Sequence, residues 1–167
     1  MNAALDKLLS ISSDALLPNQ HQAQPPFDRQ TDAIPAALRE VLQTKNGFFA
    51  FESALHVFPA GISADHLTLS YWNDPDSWKS EYGALISADA LFFAQDAYGN
   101  QFAVREDGVY LFYSEFAEFE LVAKSLGEWA EKILDDWRGY TGYDLAHEWQ
   151  IANRPLREGE RLIPKVP

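Results

Sequence analysis

Four histidines and a dense set of carboxylates are the residues of this chain best suited to chemistry. His21, His56, His66 and His147 lie at no metal-ligand spacing from one another. His147-Glu148 opens like the helix of a zinc protease, but Ile151 stands where the second histidine is needed. A tetrahedral ligand set is therefore incomplete. Asp96-Ala97-Tyr98-Gly99-Asn100 resembles part of a calcium loop. It lacks the alternating oxygen ligands and the distal glutamate, so it reads as a structural turn. The chain has no cysteine, which removes thiol chemistry. It also has no glycine-rich phosphate loop and no Gly-x-Ser-x-Gly elbow. Asp135-Asp136 and the pair Asp74 and Asp76 are neighbouring carboxylates, the raw material of acid–base catalysis. Adjacent acids on a helix ordinarily form a solvated face. The residues thus assign no catalytic group, no metal and no cofactor.

One cluster suits recognition instead. Tyr71, Trp72 and Trp78 bracket the acidic turn Asp74-Pro75-Asp76. Aromatic anchors beside acids are what a surface for a basic protein partner would use. The competing and weightier reading is that these rings are core, since large aromatics mostly bury.

Overall charge points the same way as that cluster. The formal net charge is −12, and such a surface repels phosphate backbones, which argues against direct nucleic-acid binding. It attracts basic partners and speeds their association, although acidity also serves simple solubility. With 47% hydrophobic and 14% aromatic residues the chain can build a core without a disulfide or a metal. The absence of cysteine suits a reducing cytoplasm. No signal peptide is visible at the N-terminus, and no apolar run approaches the ~18–20 residues of a membrane span.

The elements that must position these groups can be read from periodicity and turn chemistry. Residues Ala3 to Ile11 predict a short helix with Leu5, Leu8 and Leu9 on one face. The following stretch to Gln30 is rich in Pro and Gln, so residues 1–30 read as a helix-and-linker arm and residues 31–167 as one domain. A helix is expected from an Asp32 cap, with Pro35 in its first turn, to about Thr44. Asn46-Gly47 stops it, with Gly47 left-handed. The aromatic run Phe48 to Phe58 predicts a strand followed by a helical turn. Leu67 to Trp72 fits either a strand or a short helix.

A β-meander follows. Its strands are Leu91 to Ala94, Gln101 to Arg105, Val109 to Tyr113 and Glu118 to Ala123. With Asp107-Gly108 as a hairpin loop, Val104 faces Leu111 and Phe102 faces Tyr113. In the fourth strand Phe119, Leu121 and Ala123 are expected inward, Glu118 and Glu120 outward. Ser125 and Glu128 form a capping box for a helix with Leu126, Trp129, Ala130, Ile133, Leu134 and Trp137 on one stripe, ending at Gly139. A second helix is expected from Thr141 to Asn153.

The order of these pieces carries a resemblance. A helix opening with Ile34-Pro35 ends in Asn46-Gly47-Phe48, and a Trp-bearing middle follows. Then come Leu91-Phe92-Phe93-Ala94, Asp96, Gly99-Asn100, Phe102, a hairpin and the Ser125-to-Trp137 helix. From Ile34 to Trp137 the chain resembles the SUKH superfamily, whose founder is a yeast cell-wall synthesis regulator of the Smi/Knr type. Phe48 departs from the pattern, where the family often has a second glycine. The segment from Tyr143 to Pro167 looks like an extension of a bacterial subgroup, in which more chain would follow. The resemblance implies an α+β fold with a mostly antiparallel sheet flanked by helices, and no catalysis. Bacterial members look like immunity proteins that neutralise toxin domains, often nucleases. It therefore implies a cytoplasmic protein-binding module with a basic toxin domain as partner. The alternatives are a regulatory scaffold of the yeast-regulator kind and a small enzyme with an unrecognised carboxylate site.

Overall fold

Turn chemistry lays out the sheet. The computed structural model describes residues 1–15, 34–61 and 68–141, and of residues 137–141 the main chain. Among the described residues seven antiparallel strands follow one another in chain order: β1 (Ser13–Asp14), β2 (Phe48–Ala50), β3 (Leu55–Val57), β4 (Leu91–Asp96), β5 (Gln101–Arg105), β6 (Gly108–Tyr113) and β7 (Glu118–Ala123). The helices among these residues are α1 (Ala3–Ser10), α2 (Ala36–Thr44), α3 (Leu69–Asn73) and α4 (Leu126–Thr141). Two 3-10 turns, Trp78–Glu81 and Gly83–Leu85, lie between α3 and β4. This is the α+β class with an antiparallel sheet that the sequence predicts.

The β4–β5 reversal is built by Asp96. Its Oδ1 accepts the main-chain N–H groups of Tyr98 and Asn100, each at 2.9 Å, while Gly99 takes φ +83°. The β5–β6 hairpin differs from expectation. Its loop is Glu106-Asp107, so Val104 pairs with Val109 and Phe102 with Leu111. Gly108 is needed for another reason: a Cβ there would lie 2.5 Å from the Ala123 carbonyl oxygen of β7. The two-residue shift leaves every side chain on its expected face, because strand faces repeat every two residues.

Strand β7 breaks that alternation. Val109 pairs with Ala123 and Tyr110 with Leu121, which makes Val122 an extra, bulged residue. Phe119 therefore packs on one face with Phe112, while Ala123 joins the core on the other. Leu121, expected inward, is 49% exposed. Glu120 pairs with Leu111 and so shares the face that α4 covers.

Phe48 to Phe58 is a hairpin rather than a strand with a helical turn. Phe51, Glu52 and Ser53 all have positive φ, at 54°, 55° and 72°, and reverse the chain so that Phe49 meets His56. Helix α2 starts at Ala36 with Pro35 outside it, at ψ 144°, rather than in its first turn. Asp32 lies outside the described residues. Gly47 is left-handed as expected, at φ +79°. Beside it, the Asn46 side chain grips Ala60, donating to its carbonyl at 2.9 Å and accepting its N–H at 2.7 Å. In the α4 cap the Ser125 Oγ accepts the Glu128 N–H at 3.1 Å. The Glu128 carboxylate reaches back to the Lys124 N–H at 2.8 Å, one residue earlier than a standard box. The helix continues through Gly139 to Thr141. The helix expected beyond it lies outside the described residues.

Both faces of the sheet are covered. On one, α1, α2 and α4 bury Leu8, Leu38, Phe48, Phe93, Phe102 and Trp129 together. Leu5, Leu8 and Leu9 of α1 belong to this main core, so the N-terminal helix is not a detached arm. Residues 16–33, which hold the Pro/Gln linker, lie outside the described set. On the other face Phe92, Ala103 and Phe112 form a smaller core under Trp78 and Tyr82.

Candidate functional site

The five residues expected to bind a partner converge at one corner of the smaller core. The N-cap Thr68 sets α3 in place by accepting the Tyr71 N–H at 3.4 Å. Asn73, at its end, clamps β4: it donates to the Phe92 carbonyl at 2.7 Å and accepts the Phe92 N–H at 2.9 Å. This pair of bonds holds α3, and with it Trp72, against the middle of the sheet. Trp72 stacks on Phe58 at 5.3 Å and meets Tyr71 and Trp78 edge-on at 5.2 and 5.0 Å. Trp78 in turn packs edge-on to Phe92 at 5.0 Å and Phe112 at 5.8 Å. Such pairs add about 0.5–1.5 kcal/mol each beyond their area. Both Trp rings are half-buried, so they seal the core and still present a rim. Asp74 accepts the Asp76 N–H at 2.9 Å, and Asp76 projects from the turn exposed. Lys79 donates to the Ala90 carbonyl at 3.0 Å, and burial lowers its pKa.

The opposite face holds a feature the sequence did not disclose, a cavity of about 540 Å³ between α4 and the sheet. Leu55, Phe102 and Leu111 floor it, while Trp129 and Ile133 of α4 roof it. Phe51 and Ala54 close one end from the left-handed β2–β3 turn. Its charged lining is Asp96, Glu120 and Asp136 against Lys132. Glu120 is held by the Tyr113 hydroxyl, which donates to its Oε2. Lys132 spends its ammonium elsewhere, on the Val122 carbonyl at 2.7 Å and the Glu128 carboxylate at 3.0 Å. The Trp129–Ile133–Asp136 spacing was legible as one helix face. Which strand residues would oppose it depended on the pairing of β6 with β7 and on its bulge, which the expected alternation of β7 did not include.

Asp96 is a largely buried carboxyl in this lining. Burial pushes its pKa above the ordinary value, although hydrogen bonds from Asn100, Tyr98 and Gly99 oppose the shift. A raised folded-state pKa means the folded chain takes up this proton before the unfolded chain does. The group's contribution is then greatest below the unfolded value of about 3.9 and is lost as pH rises through the folded value. Asp96→Asn keeps the Oδ1 acceptor and removes the titration. Wild type should therefore gain stability relative to Asp96→Asn as pH falls from 7 towards 4, read from urea midpoints. An unchanging difference across that range would refute the buried-charge account.

His56 lies between rings, stacked on Phe49 at 4.4 Å and edge-on to Phe58 at 5.0 Å, a packing role. His21, His66 and His147 lie outside the described residues. Among the described residues no three His, Asp or Glu converge on a metal position, and no helix is long and apolar enough to cross a membrane. Several cations are turned onto main-chain carbonyls. Lys45 donates to those of Leu9 and Ser12 at 3.1 and 2.9 Å, and Arg39 to that of Ile34 at 3.1 Å. Many of the acids meanwhile remain outside: Asp76, Glu81, Glu106, Asp107, Glu115 and Glu118 are all exposed.

The order of these elements, from the helix before Asn46-Gly47 to the capped α4, matches one family. The profile of the SMI1 / KNR4 family (SUKH-1) covers residues 33–132, well over half of the chain. The chain belongs to the SMI1 / KNR4 family (SUKH-1). The matched span takes in the whole Trp72–Trp78 corner of this SUKH-1 chain and ends inside α4, at the Lys132 edge of the cavity. Helix α1 and strand β1 lie before it. No curated protein matches the chain.

Proposed function

We propose that this SUKH-1 chain is a non-enzymatic protein-binding module, an immunity protein that neutralises a basic toxin domain in the bacterial cytoplasm. Family membership over residues 33–132 carries the reading. Bacterial chains of the wider SUKH superfamily look like immunity proteins. The net charge of −12 supports it, as do cations turned inward while carboxylates stay in solvent. An outward negative field steers a basic partner and suits the phosphate-binding groove of a nuclease. The contact surface in this reading is the rim of Tyr71, Trp72, Asp74, Asp76 and Trp78. There half-buried aromatics beside acids supply anchor and charge together.

The test is co-expression with the product of the adjacent gene under an inducible promoter. Growth is expected to be restored by this chain and impaired by Asp74→Asn with Asp76→Asn. Cells killed at the same rate with and without the chain would overturn the reading.

A further inference from the structure

A file of rings crosses the sheet on its smaller-core face. Trp72 meets Trp78 at 5.0 Å, Trp78 meets Tyr82 at 5.1 Å, Tyr82 meets Phe112 at 5.1 Å, and Phe112 meets Phe119 at 4.7 Å. The file therefore joins the Trp72–Trp78 rim to the outer strand β7. At the β7 end its cover gives out. Phe119 is half-buried, and Leu121, two residues on and so on the same face, is 49% exposed. Phe116, in the turn before β7, is 66% exposed. We propose that Phe116, Phe119 and Leu121 form a second anchor point for the protein that the rim holds. The partner would place an apolar side chain there, flanked by lysines or arginines. This rests on the protein-binding reading above and carries its contact surface across the sheet to β7.

Three observations support the extension. The first is continuity. Single exposed apolar residues are ordinary, but this row is the open end of a packed layer that already reaches the rim. The second is preorganisation. A Cβ on Gly108 would lie 2.8 Å from Leu121 Cδ1, so Leu121 rests on bare main chain of β6. Ala117, at φ 54°, packs on the smaller core and fixes the turn that presents Phe116. Anchors held in place before binding cost less to order. The third is charge. Asp76 and Glu81 are exposed at the rim end, and Glu115 and Glu118 beside the β7 end. Two cations of this face are held against the molecule. Lys79 donates to the Ala90 carbonyl at 3.0 Å, and Arg105 pairs with Asp89 at 3.4 Å while lying 4.7 Å over the Tyr110 ring. An apolar centre with acids at both ends complements a basic surface. A second copy would bring another −12 of charge against it.

Binding of the purified product of the adjacent gene to the full chain is followed by surface plasmon resonance. Phe116→Ser with Leu121→Ser is expected to weaken the complex at least about tenfold, mainly through faster dissociation, as loss of apolar anchors does. Asp76→Asn with Glu81→Gln should instead slow association, and the difference should shrink in high salt. Phe116→Ser alone sits in an exposed turn and should weaken binding about threefold, which decides the matter if the double variant fails to fold. Wild-type affinity in the Phe116 and Leu121 variants, beside normal binding of the unaltered chain, overturns this inference and leaves the neutralising reading standing. No binding of the unaltered chain overturns both. An unchanged association rate in the Asp76/Glu81 variant removes the basic partner and overturns the inference too. So does a chain that sediments as a dimer dispersed by Leu121→Ser, which would give this face to a second copy.

Discussion

The Phe112→Ala protein is expected to lose about 3–5 kcal/mol of stability, the usual cost of emptying a fully buried aromatic site. Phe112 is 0% exposed. It touches Trp78 at 5.8 Å, Tyr82 at 5.1 Å, Phe92 at 5.7 Å and Phe119 at 4.7 Å. Its removal leaves the smaller core with little beyond Phe92, Ile86 and two alanines. That core is thin, so the rings above it have few ways to refill the gap. Because domains are stable by only about 5–15 kcal/mol, this single change should consume a large share of the total. The urea midpoint measures it, and tryptophan emission should shift to the red as Trp72 and Trp78 gain water. A loss below about 1 kcal/mol would mean that the aromatics of this face do not pack as a core.

Gly47→Ala should come close behind, at about 2–5 kcal/mol. Two separable terms contribute. An L-residue held left-handed costs roughly 1–2 kcal/mol, and Gly47 sits at φ +79°. A Cβ there would also lie 2.7 Å from both Pro59 Cβ and Pro59 N, with main chain that has little room to retreat. Overpacking of this kind costs about 1–3 kcal/mol. Retreat would further stretch the two Asn46–Ala60 hydrogen bonds next door. Gly83→Ala separates the terms: its φ is +55° but nothing lies within 4 Å of the added carbon. It should show the conformational term alone. Equal losses for the two variants, read from urea midpoints, would contradict the steric account of Gly47.

Local signals carried much of the fold into the sequence. The Asp96 turn, the Ser125 cap, the left-handed Gly47 and the four strands from Leu91 to Ala123 are set by residues within a few positions of one another. Where the sequence misled, a distant contact decided. Gly108 looked like a turn residue, yet the carbonyl of Ala123 is what excludes a side chain there. The bulge at Val122 moved Leu121 out of the core and turned Glu120 towards α4, and no alternation pattern records a bulge in advance. Phe48 to Phe58 was ambiguous because an aromatic run has no clear period. Three left-handed non-glycine residues then made the reversal, against their own preferences. The Trp72–Trp78 cluster was visible as a cluster, but its double character, half core and half rim, depended on the Asn73 clamp to Phe92. The cavity was invisible because its floor and roof come from strands and a helix that only register brings together.

Strands in chain order leave the sheet with two outer margins, and β7 forms the longer one. Unpaired main-chain groups along such a margin invite a second molecule to add on, the first step towards fibrils and precipitates. Here Glu118 and Glu120 repel an identical copy, and the bulge at Val122 spoils the straight run of donors and acceptors. Lys132 also covers the Val122 carbonyl from α4. The irregularity that upset the expected alternation of β7 thus guards the molecule against stacking on itself.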